Sequence, residues 1–142
     1  MSGGLLCVWN PSIFDFHSYV TAAGLLLIGR IKGIEKELKL LNVYGPYNDR
    51  VHFWDRLAGS GLLRDPNLIL ASDLNFILSP LEAWGTDHGD PLSAYFNYIF
   101  RDVGLVDMRP IDLGPTWRNG QVAESGISKR LYCFLVADRL VS

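Results

Sequence analysis

At 142 residues the chain has the length of one domain and not of two. Its 49% hydrophobic and 20% charged residues form an ordinary globular balance, which excludes a disordered segment. A net charge of -2 excludes the strong basic excess of a dedicated nucleic-acid binder, though not an enzyme that grips phosphates at one small site.

The first residues, Met1-Ser2-Gly3-Gly4-Leu5-Leu6, carry neither a basic leader nor a small-residue cleavage site. The expectation is an intracellular protein, nuclear or cytoplasmic and not secreted. No apolar run reaches the ~20 residues that a membrane span needs, so no membrane is expected as a partner. Residues 4–9 read as a strand that ends at Asn10-Pro11. Residues 24–31 and 37–44 read as two further strands, turned at Lys32-Gly33 into a hairpin. Leu38 and Leu40 alternate there against Glu37 and Lys39, and Gly45-Pro46 breaks the run. Asn48 is a suitable N-cap for a helix with Val51, Trp54, Leu57 and Ala58 on one face, stopped by Gly59 and Gly61.

Residues 67–71, continuously apolar from Leu68 onward, read as an interior strand buried on both faces. Ser72-Asp73-Leu74-Asn75 follows at its C-terminal end. Asp90 caps a second helix over residues 90–103, with Pro91 in its first position. Leu92, Tyr95, Phe96, Ile99, Phe100 and Val103 form its apolar stripe, and Gly104 is the stop. Beyond Pro110 and Pro115, Thr116-Trp117 and residues 131–136 read as the last strands. Strands with helices between them point to an α/β layered domain. Cys7 and Cys133 lie far apart among apolar neighbours and read as free thiols in a reducing compartment.

Asp73 and Asn75 are the strongest candidates for chemistry. They follow a buried strand, and alternation along it sets both on one side. A carboxylate there can orient water or take its proton, and an amide can hold a phosphate oxygen without adding charge. The same residues also suit a turn or a helix cap. Tyr44, at another strand end, offers a phenol as donor to a phosphate, or simply packs. Arg130 reads either as a phosphate or carboxylate clamp or as a solvated or paired surface charge. His17, His52 and His88 are remote from one another and lack metal-ligand spacing, and Glu82 and Asp107 read as single acids.

The order of these pieces adds information. Leu41-Asn42-Val43-Tyr44-Gly45-Pro46, a Trp-containing helix, then Leu68-Ile69-Leu70-Ala71-Ser72-Asp73-Leu74-Asn75-Phe76 closely resembles the endonuclease/exonuclease/phosphatase superfamily. The subgroup it looks most like is the endonuclease of plant non-LTR (LINE-type) retrotransposons. Glu82, Gly85, residues 104–107, Thr116-Trp117 and residues 129–136 continue the resemblance along nearly the whole chain. It implies a deoxyribonuclease-I-like, two-sheet α/β sandwich flanked by helices and truncated at both ends. It also implies magnesium-dependent phosphodiester cleavage of DNA, with no obligate protein partner. Asp73 would activate the water, and Asn75 and Tyr44 would contact the scissile phosphate. Glu82 and Asp107 look like structural acids of that pattern.

The chain departs from the pattern in ways that bear on activity. Strands that bear an active-site Asn and a metal-binding Glu would precede it, and an Asp-His pair would follow it. Tyr132 stands where an Asp usually supports that His, and Ser72 stands where Gly usually precedes the Asp. The expectation is therefore a nuclease fragment inactive on its own. Two alternatives remain open: a non-catalytic relic or nucleic-acid-binding module, and a phosphatase acting on a lipid or inositol headgroup.

Overall fold

The protein is described by a computed structural model covering residues 4–85, 89–121 and 125–142. Six strands form the main sheet: β1 (Phe14–Val20), β2 (Gly24–Ile31), β3 (Glu37–Val43), β4 (Leu68–Asp73), β6 (Leu105–Asp107) and β9 (Tyr132–Ala137), in the order β1-β2-β3-β4-β9-β6. β1, β2 and β3 pair antiparallel as successive hairpins. β3 and β4 are parallel, as a strand–helix–strand crossover requires, and the crossover is helix α1 (Arg50–Gly59). β9 returns antiparallel between β4 and β6. A second sheet contains only short strands, β5 (Ala83–Trp84), β8 (Ser128–Lys129) and β7 (Trp117–Arg118). It lies near the C-terminal end of β4, because β8 leads into β9 and Leu74 N donates to Leu131 O at 3.0 Å.

The two faces of the main sheet differ. On one, Leu41, Leu70 and Leu135 are register neighbours, and α1 and helix α2 (Ser93–Val103) pack on them. Trp54 of α1 lies edge-on to Phe76, Phe96 and Phe100, while Phe76 stacks on Phe96 at 4.0 Å between centroids. These rings are wholly or nearly buried, and truncating one such ring to Ala costs about 3–5 kcal/mol. The stripe expected on α2 is this core face. Gly104 ends α2 with φ 74°, a left-handed conformation that favours glycine.

On the opposite face, Leu27, Leu40, Ile69, Val136 and Val106 form one row across five strands. Residues 4–9 were expected to be a strand, and they make no ladder with the sheet. Leu5, Cys7 and Trp9 are half-buried while Leu6 and Val8 stay exposed. The Asn42 side chain donates to Leu6 O and Cys7 Sγ, and Trp9 meets Phe16 edge-on. The segment thus lies across the sheet face, which reproduces the in–out alternation of a strand without its backbone partners.

Two helix starts also differ from expectation. α1 is preceded by Asp49 at φ 53° rather than capped by Asn48, and no side chain caps it. α2 begins at Ser93, because Asp90 first makes a turn: its carboxylate accepts from Leu92 N and its carbonyl from Ser93 N. Both thiols are free, Cys133 being fully buried. Among the described residues no helix is long and apolar enough to cross a membrane.

Candidate functional site

β3 and β4 run parallel and end together. Leu41 neighbours Leu70 and Asn42 neighbours Ala71; two residues further, the same register sets Tyr44 beside Asp73. Gly45 N donates to Asp73 O at 2.8 Å and holds the two ends together. A Cβ at Gly45 would come within 2.1 Å of the Leu74 carbonyl oxygen, so this approach needs glycine. Across β4, Asp73 pairs with Tyr132 of β9. Asp73 and Tyr132 therefore occupy adjacent strands on the face turned away from the helices, where sheet alternation directs both, and Tyr44 follows the end of β3 beside them. Tyr132 is a half-exposed phenol directly opposite Asp73.

The Asp73 carboxylate accepts a hydrogen bond from Asn75 N at 3.1 Å. Burial holds its pKa above the ordinary carboxyl value, and the Asn75 N–H pulls weakly the other way. Asn75 has φ 53°, in the left-handed region that Asn tolerates. Alternation consequently ends before it, and the expectation that strand geometry aims Asn75 with Asp73 does not hold. Loop geometry aims it instead: its amide nitrogen donates to Gly45 O. That nitrogen carries two hydrogens, so one remains for another acceptor.

Tyr44 and Asn75 line a cleft of about 530 Å³, and Asp73 stands beside it rather than in its wall. Tyr47, Arg50, Trp117 and Lys129 also line it. Sequence reasoning assigned none of these four a role. Arg50 donates to both Asp90 carboxylate oxygens and, at 3.1 Å, to Asn75 O, so it ties α1 and the segment before α2 to the loop after Asp73. A signal for it existed. A cation in the first turn of a helix opposes the macrodipole and calls for a partner acid.

Arg130 proves to be a carboxylate clamp. It is 3% exposed and donates to Glu82 Oε1 at 2.6 Å and to both Asp107 oxygens at 2.8 and 2.9 Å. Its hydrogen bond with Asp107, foremost, raises its pKa further. Glu82 is fully buried and also accepts from Leu78 N and Ser79 N. Arg130 is thus neither a solvated charge nor placed to hold a phosphate, and Glu82 and Asp107 are committed to it. Burial pushes the neighbouring Cys133 thiol up to about 12, which makes it unreactive at neutral pH. His17 and His52 are exposed on β1 and α1, far apart in sequence, and His88 lies outside the described residues.

Asp73 is the carboxylate that these strand ends offer to the magnesium implied by the resemblance. Among the described residues no three His, Cys, Asp or Glu side chains come together as a metal site. At the candidate site Asp73 stands opposite a phenol, and Glu82 and Asp107 are held by the Arg130 guanidinium.

Six pleated strands with helices on one face, and a small second sheet at the strand ends, define an α/β fold of the deoxyribonuclease-I-like kind. Among solved structures the chain is similar to the endonuclease domain of TRAS1, a telomere-specific non-LTR retrotransposon, with a TM-score of 0.71 and 16% sequence identity. The match covers 94% of this chain and 60% of that one, so this chain spans about three fifths of the solved domain's length. No family model and no curated protein matches the chain.

Proposed function

We propose that this chain is part of a nucleic-acid phosphodiesterase domain of the endonuclease type, related to the endonucleases of plant non-LTR retrotransposons. The observation that carries this reading is the shared end of β3 and β4, with Tyr44 and Asp73 side by side and Asn75 next to them, on a fold similar to an endonuclease domain. Asp73 would orient the attacking water and accept its proton, a role that suits a carboxyl whose pKa burial has raised. The Tyr44 phenol and the remaining Asn75 amide hydrogen would donate to the phosphate oxygens. The plant assignment rests on the sequence motifs alone.

Turnover by this chain is expected to be slow or absent. Phosphodiester cleavage needs an oriented water, neutralised phosphate charge and a stabilised leaving oxygen. Asp73 addresses the first. Of the cations around the site, Arg50 is paired with Asp90 and Arg130 is buried in its own carboxylate clamp. Removing members of such a unit costs orders of magnitude in rate. A second reading, a binding module without catalysis, draws on the same observation that Tyr132 stands opposite Asp73.

The test pairs binding with cleavage. The chain should bind oligonucleotides and leave supercoiled plasmid and an abasic duplex essentially uncut in magnesium or manganese, with Asp73→Ala as control. Failure to bind any nucleic acid would sink the reading. Robust cleavage abolished by Asp73→Ala would keep the site and overturn the slow-turnover expectation. Cleavage indifferent to Asp73→Ala would remove Asp73 from its role.

A further inference from the structure

A second depression shares no residue with the cleft beside Asp73. It lies between the β1–β2 turn and the end of α1 and holds about 420 Å³, within the ~300–1,000 Å³ typical of sites for small ligands. Ala22, Ala23, Phe53, Leu57 and Leu62 form its wall. The two hydroxyls that also line it are spent on the backbone. Thr21 Oγ1 donates to Gly24 O at 2.9 Å and accepts from Ala23 N and Gly24 N. Ser60 Oγ donates to Leu57 O at 2.6 Å and accepts from Leu62 N. A ligand rich in hydroxyls or carrying several charges would lose its water there and find few partners in exchange.

Arg56 is the exception to this apolar lining. It reaches the depression from the last turn of α1, is exposed, and among the described residues has no carboxylate within ion-pair distance. Its neighbours one turn away on the helix, His52, Phe53, Gly59 and Ser60, supply no acid. Arg50, Arg64 and Arg130, by contrast, each hold a carboxylate. The carbonyls at the helix end, which would repel an anion, are already occupied: Arg56 O and Leu57 O accept from Ser60, and Ala58 O accepts from Gly61 N. One guanidinium above an apolar wall matches a ligand with one anionic head and an apolar body. Apart from Phe53 the wall is aliphatic, which suits a flexible chain better than a flat ring system.

We propose that this depression binds a medium-chain acyl carboxylate, with the tail on Phe53, Leu57 and Leu62 and the head paired with Arg56. The site is separate from the strand ends that carry Asp73, and it stands whether or not the chain acts on nucleic acid.

An NMR titration of the isotope-labelled chain with octanoate tests it. Saturable shifts should appear at the amides of Thr21 to Ala23 and of Phe53 to Leu62. Across hexanoate, octanoate and decanoate, affinity should rise about fourfold per methylene, the conversion of ~0.8 kcal/mol per buried CH₂. Octanol should bind about fivefold more weakly than octanoate, the conversion of the ~1 kcal/mol upper end for an exposed ion pair. Ala22 and Arg56 are exposed, so substitutions there leave the core untouched. Arg56→Gln should bind octanoate and octanol alike, and Ala22→Trp, which fills the depression, should bind neither. Phe134→Lys, on the opposite sheet face, should bind octanoate as before. Absence of a saturable shift, shifts gathered around Phe134 instead, or an Ala22→Trp variant that binds octanoate as before would overturn the proposal. So would a preference for octanoate over octanol that survives Arg56→Gln.

Discussion

Asp73 is an acid held where its charge is disfavoured. Its folded pKa is raised by burial, so its contribution to stability is fully present below the ordinary carboxyl value of about 3.9 and is lost as pH rises through the folded value. At neutral pH the ionised group therefore costs stability. Asp73→Asn keeps an oxygen that can accept from Asn75 N and removes that charge. Thermal melts should show the variant higher than the unaltered chain at pH 7, by a few degrees or less. The gap should close as pH falls below about 4. A lower midpoint at pH 7 would mean that Asp73 is stabilised by a partner not yet accounted for. Stability gained where chemistry would be lost is the pattern of a functional acid.

At the scale of elements, the Arg130 clamp joins three pieces of chain: the short helical turn that holds Glu82, the end of β6 at Asp107, and the entry to β9. Glu82→Ala would leave a buried guanidinium with one partner and would release Leu78 N and Ser79 N. The expected cost is about 3–5 kcal/mol, read from urea denaturation midpoints. Asp107→Ala should cost less, because Asp107 is 10% exposed and water can take its place. A cost below about 1 kcal/mol for Glu82→Ala would show that the clamp is replaceable. The clamp was not legible in the sequence, because Arg130 meets Glu82 across 48 residues and Asp107 across 23. Local pattern sees Arg130 as one charge before a strand. The hairpin β2–β3, strand β4 and both helices were legible, since periodicity and punctuation are local properties. β1 was not, because its Phe14-Asp15-Phe16 alternation soon gives way to His17 and Ser18. Residues 4–9 misled for the converse reason: apolar alternation reports a buried face and not backbone pairing. For the site, strand-end position singled out Asp73, Asn75 and Tyr44. Tyr47 and Trp117 gave no signal, since an exposed ring at a cleft rim looks in sequence like any other aromatic.

At the scale of the molecule, the sheet face opposite the helices is only thinly covered. Tyr132, Phe134 and Val106 are 54%, 58% and 43% exposed there, and Leu6 and Val8 are more exposed still. Apolar surface gathered in this way drives association. The chain is expected to self-associate as concentration rises, and Phe134→Lys should shift it towards monomer without lowering its thermal midpoint by more than a few degrees. Sedimentation velocity over a concentration series decides it. A chain that stays monomeric throughout, or a Phe134→Lys variant that associates as before, would show that the face is adequately covered.

Strand order has a consequence for how the molecule is made. β1 to β4 are laid down in the order in which they pair, but β9, which lies between β4 and β6, is synthesised after both. Translation at roughly 5–20 residues per second leaves the outer edge of β4 open for roughly 3–12 s before Tyr132–Ala137 leaves the ribosome. Throughout that interval the nascent chain carries Leu68-Ile69-Leu70-Ala71 with one row of backbone donors and acceptors unpaired, the kind of edge that recruits a foreign strand. Yield in a cell would then respond to translation speed downstream of Asp73 and to chaperone supply, independently of how stable the finished sheet is.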